Sequence, residues 1–75
     1  MVLDNVKQIV ADQMHISVDE VKETTTFHDL EADSLDVVEV IMALESKFDI
    51  MLPDEAVETF KDVSDLAKYI EDQLR

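Results

Sequence analysis

Asp29-Leu30-Glu31-Ala32-Asp33-Ser34-Leu35-Asp36, with the run that follows it to Phe48, is the stretch that decides the fold. Val37, Ile41, Leu44 and Phe48 recur at i, i+4, i+7 and i+11, one stripe of a long amphipathic helix. Leu35, Val38 and Met42 make a flanking row, so the apolar face is broad. Asp36 and Glu39 lie one turn apart, away from the first stripe. Asp33 or Ser34 must cap this helix, because both residue types accept a bond from the orphan amides of a first turn. Asp33 is the better candidate, since Asp36 then falls at the third helical position, where Asp is a weaker partner than Glu or Gln. Ser34 becomes the first helical residue, its hydroxyl turned outward at the positive end of the helix dipole.

Upstream, Leu3, Val6, Val10 and Met14 follow helical spacing with Ile9 beside them, which predicts a first helix over Val2 to Met14. The chain has no glycine, so His15 must either take a left-handed conformation at some cost or end that helix differently. Ser17 and Glu20 form a capping box, with Ile16 and Val21 as its hydrophobic staple, and a short helical turn follows. Thr24-Thr25-Thr26 favours extended or irregular backbone. Phe27 and Leu30 are expected to anchor this long loop, because an unanchored one of such length is unusual.

Downstream, Asp49 suits a left-handed helix end. Pro53 starts a short third helix to Phe60, with Asp54 and Glu55 in its first turn and Ala56, Val57 and Phe60 inward. A last helix is predicted from about Val63 to Leu74, with Val63, Leu66, Ala67, Ile70 and Leu74 on one stripe behind Asp62 and Asp65. No strand-like alternation appears. The expectation is an all-α, small four-helix bundle: three longer helices, a short third one, and a long loop between the first and second.

Seventy-five residues allow one small domain, 1–75, which buries only roughly 60% of the surface its unfolded chain exposes. With no cysteine, there is no disulfide, no thiolate catalysis and no Cys-based zinc site, so thiol chemistry must come from an added group. No leader pattern is visible at the N-terminus, and no apolar run approaches the roughly 20 residues of a membrane span. A cytoplasmic monomer without stable membrane insertion is expected. Nineteen acids against six bases give a net charge of −13, which makes nucleic acid and anionic membranes poor partners. From His28 to Thr59, ten acids face one base, Lys47. A one-sided field of this kind steers basic partners.

Asp33-Ser34-Leu35-Asp36 followed by Val-Glu-Val-Ile-Met-Ala-Leu-Glu resembles the acyl carrier proteins of dissociated (type II) fatty-acid synthesis. Phe48-Asp49-Ile50, Leu52-Pro53-Asp54-Glu55 and Tyr69-Ile70 sit at family-like spacings too, so the resemblance covers essentially the whole chain. It implies a non-catalytic carrier in which Ser34 bears 4′-phosphopantetheine, whose thiol holds acyl groups as thioesters. It also implies that the second helix docks basic surfaces of the synthesis enzymes and of the phosphopantetheinyl transferase. Asp33, Leu35, Asp36, Val38, Glu39, Met42 and Glu45 are the residues for that surface; core packing is the competing reading for Val38 and Met42. Carriers of this kind shelter acyl chains between helices, and Met14, Met42, Ala43 and Val57 are the wall residues expected here, with ordinary packing as the competing reading.

Three positions depart from the family pattern. His15 and Glu31 stand where relatives often have glycine, and Glu31 adds a carboxylate near Ser34, which bears on how readily a foreign transferase modifies the chain. Met51 stands where many relatives carry an acid or polar residue, so an exposed apolar contact is expected there.

Other chemistries fit less well. Asp29-x-Glu31-x-Asp33 lacks the glycine and glutamate that a calcium loop needs, with Ser34 and Val40 in those places, and no metal site is expected. A hydrolase built on Ser34 with His15 or His28 lacks the Gly-x-Ser-x-Gly elbow. An aminoacyl, peptidyl or polyketide carrier, or an unmodified acidic interaction module, remain the alternatives. The charge density makes the fold self-repulsive near neutral pH. Added salt or divalent cations should therefore raise the melting temperature; a melting point that stays flat or falls counts against this.

Overall fold

The computed structural model describes residues 1–74. α1 spans Val2–Met14, α2 Ser34–Phe48, α3 Asp54–Val57 and α4 Val63–Gln73, with one 3-10 turn at Val18–Glu20 in the long first loop. The all-α four-helix expectation holds, and the predicted bounds of α1 and α2 match. No helix among the described residues is long and apolar enough to cross a membrane.

α1 is the central strut: α2 and α4 both pack against it. Its buried face is Val6, Val10 and Ala11. α4 answers with Val63, Leu66, Ala67 and Ile70. On α2 the innermost residues are Val40, Ile41 and Leu44, while Val37 and Phe48 are only half-buried. The sequence stripe omitted Val40, which is fully buried. α2 is apolar on more than one face, so periodicity alone did not fix its rotation.

Three helical segments close without glycine. His15, Glu31 and Asp49 have φ of 58°, 55° and 54°. In each case the next amide donates five residues back: Ile16 to the Ala11 carbonyl, Ala32 to Phe27 and Ile50 to Glu45. This is the pairing that glycine usually serves, because a Cβ in left-handed backbone costs roughly 1–2 kcal/mol. His15 thus takes the strained option, and both positions where relatives favour glycine have positive φ.

The first loop is more ordered than its threonine run suggests. Thr26 and Asp29 exchange amide bonds with each other's side chains at 3.1 and 2.9 Å, opening a single helical turn that ends at Glu31. Phe27 and Leu30 pack on the core from this turn, as expected. The loop is also clasped to α4: the Val63 amide donates to the Thr25 carbonyl and the Ser64 amide to Glu23, both at 2.9 Å. Two orphan donors of the α4 N-terminus are satisfied in this way.

α3 is shorter than predicted. It ends at Val57 rather than Phe60, because the amides of Thr59 and Phe60 switch to carbonyls three residues back and the Thr59 hydroxyl donates to Ala56 O at 2.7 Å. Phe60 leaves the helix and meets Tyr69 edge-to-face, centroids 5.5 Å apart. α4 stops one residue short of Leu74, which is exposed instead of lying on the buried stripe. At its start, the Ser64 hydroxyl and the Asp65 amide donate to Asp62 and hold that carboxyl below its ordinary range. The help this cap gives to folding is present above the unfolded value of 3.8 and lost as pH falls through the lower folded one.

His15→Gly relieves the left-handed strain at an exposed site. It should raise stability by about 0.5–1 kcal/mol, a gain of roughly 2–8 °C in melting temperature. His15→Val should lower it; a glycine variant that melts below wild type removes the strain argument.

Candidate functional site: an exposed serine at the start of α2

Ser34 is exposed and is the first residue of α2. Asp33 is the N-cap, with φ −88° and extended backbone. The Asp36 amide donates to Asp33 Oδ1 at 2.9 Å, and the Asp33 amide donates to Asp36 Oδ2 at 3.2 Å. This reciprocal box satisfies both amides and leaves the serine hydroxyl with no capping duty. The hydroxyl stands in solvent at the end of a helix whose dipole favours a bound anion.

Leu35, Val38 and Met42 follow at i, i+3 and i+7 from Leu35, and they are 64%, 50% and 61% exposed. For Val38 and Met42 the core-packing reading is therefore excluded. Glu39 is exposed beside this row, and Asp36 is half-buried by its capping role. Glu45 differs from the acids with which sequence reasoning grouped it. It is half-buried, and its Oε2 accepts the Leu52 amide at 2.8 Å, so its carboxylate fastens the loop after α2. No pattern in the sequence signalled that bond, which spans seven residues.

The residues expected to wall an acyl chain do not line the apolar cavity beside the first loop. A cavity of about 210 Å³ lies between the first loop and the start of α4, with Phe27, Leu30, Phe60, Val63 and Leu66 as its apolar lining. Met14, Met42, Ala43 and Val57 are not part of it. Met42 faces solvent, because α2 turns Val40 rather than Met42 inward. Among the described residues, no three His, Cys, Asp or Glu side chains are grouped so as to hold a metal ion.

The family described as "Phosphopantetheine attachment site" matches residues 4–70. The chain belongs to that family, the acyl carrier proteins. Two relatives carry the name "Acyl carrier protein". One, from Sulfurovum sp. (strain NBC37-1), is 55% identical over 69 residues, 91% of this chain and 92% of its own. Another, from Wolinella succinogenes, is 49% identical over 71 residues, 93% of each chain. The family is one of carriers rather than catalysts.

Because the carrier's cap lies on Asp33, Asp33→Ala should cost about 1 kcal/mol of stability. Ser34→Ala should leave the melting temperature unchanged or slightly raised, alanine being the better helix former. Equal losses from the two substitutions would return the capping role to Ser34.

Proposed function

We propose that Ser34 carries 4′-phosphopantetheine and that α2 presents the loaded arm to the enzymes of dissociated fatty-acid synthesis. The observation that carries this reading is the exposed Ser34 hydroxyl at the first position of α2, left out of the cap by the Asp33–Asp36 exchange. A hydroxyl engaged in its own helix cap would have to break that bond before it could be esterified.

The residues present suit the group. The α2 amide end favours the phosphodiester. The carboxylates of Asp33 and Asp36 already accept backbone amides, which disperses part of their charge. Arm transfer from coenzyme A joins Ser34 Oγ to the pantetheine phosphate, expels adenosine 3′,5′-bisphosphate and passes the serine proton to a base on the transferase. Once attached, the arm supplies the thiol that a cysteine-free chain lacks, and acyl groups are held on it as thioesters.

Docking follows from the charge. Asp36 and Glu39 flank the apolar row Leu35, Val38 and Met42, so a complementary surface is apolar at its centre and basic at its rim. The attraction speeds encounter and weakens with salt.

Incubation of the chain with coenzyme A and a carrier-protein transferase should add one phosphopantetheine mass to the wild type and none to Ser34→Ala. No added mass, or mass that persists in Ser34→Ala, overturns the assignment.

A further inference from the structure

Met42 is 61% exposed, because α2 turns Val40 inward and leaves Met42 on the outer row with Leu35 and Val38. On the helix surface its neighbours are Val38 and Glu39 one turn back, and Glu45 and Ser46 one turn on. Val38, Glu39 and Ser46 are exposed, and the Glu45 carboxylate is engaged with the Leu52 amide at 2.8 Å. A helical side chain leans toward the N-terminus of its helix, which sets the Met42 thioether toward Val38 and Glu39, within the row. Leucine or valine would supply apolar area there without a reactive atom. Methionine brings an oxidisable sulfur, on a residue that solvent reaches.

The other methionines are placed differently. Met1 and Met51 are 93% and 78% exposed but lie outside α2, and Met14 is half-buried at the end of α1. Of the chain's four methionines, Met42 alone lies on the row that begins beside Ser34.

We infer that Met42 is an oxidation site, and that its sulfoxide weakens docking on the α2 face. The oxidant is a peroxide. A sulfur lone pair attacks one peroxide oxygen, and an S–O bond forms as the O–O bond breaks. Sulfur loses two electrons, and the second oxygen of hydrogen peroxide leaves as water after proton transfer. A flexible apolar side chain becomes a polar, chiral one. In the free carrier the new oxygen stays hydrated, so the fold is untouched. A partner that is apolar where it meets the row must strip that water and offers no donor in return. The cost therefore falls on the complex, and sulfoxide reductases can reverse it. The inference rests on the reading of α2 as a docking face.

The test treats the full chain, before any arm is attached, with hydrogen peroxide and removes the excess with catalase. Peptide mass mapping should find one added oxygen on Met42, as on Met1 and Met51. A carrier-protein transferase with coenzyme A then serves as the docking probe, read by the rate of mass gain. Oxidised wild type should show a KM for the carrier raised about tenfold, with kcat within about twofold and the melting temperature unchanged. The two methionine sulfoxide reductases, with a dithiol as reductant, should restore the original KM. In Met42→Leu, whatever its untreated KM, peroxide should leave that value where it was although Met1 and Met51 are still oxidised.

A Met42 left intact while Met51 gains oxygen overturns the inference. So does an oxidised Met42 with unchanged KM, and if Glu39→Lys still raises KM the docking face stands. An equal KM shift in treated Met42→Leu assigns the effect to another methionine, and a lowered melting temperature in treated wild type assigns it to the fold. Either result overturns the inference. If neither oxidation nor Glu39→Lys changes KM, the docking face goes too, and a wild-type chain that gains no phosphopantetheine mass defeats both readings.

Discussion

Two amides at the entrance to α2 are each held by the other residue's carboxylate, Asp33 and Asp36 trading bonds across one turn. Everything at the site depends on this exchange. A helix must satisfy its first donors somehow, and serine is among the best side chains for doing so. Because the aspartates perform that service, the hydroxyl between them is released to solvent. The geometry is therefore decided by the two flanking residues, and Ser34 inherits its exposure from them.

The same economy runs through the molecule. Glu20, Asp29, Glu45, Asp62 and Asp65 also accept backbone amides, each at a junction between segments. Much of the acidity is thus structural, spent on holding ends and turns in a chain that has no glycine to make them easily. The left-handed closures at His15, Glu31 and Asp49 are the complementary cost. Glu39, exposed on α2, accepts no such amide bond among the described residues.

Much of this was legible in the residues. Helix bounds for α1 and α2, the Asp33 cap, the Ser17–Glu20 box and the inward stripe of α4 all follow from local rules, since each involves partners within a turn. Reading failed where the deciding partner was distant or the local signal was double. Val40 was missed because α2 is apolar on more than one side, and only the position of α1 selects its inner face. α3 was drawn too long because Pro53 marks a start but nothing comparable marks its end. The Glu45–Leu52 bond, the turn ending at Glu31 and the apolar cavity by Phe27 arise from the way loops fold back, which periodicity does not encode. The site itself was read through Ser34 and its neighbours, while the separate task of Glu45 was invisible until the loop was placed.

The clasp between the first loop and α4 has a temporal consequence. The carbonyls of Glu23 and Thr25 are synthesised early, yet the amides that bind them belong to Ser64 and Val63. The segment leading to Ser34 therefore lacks its final tether until Val63 and Ser64 have been made. The serine's approach is thus fastened by residues that follow it in the chain, so the start of α4 must be made before that surface is finished.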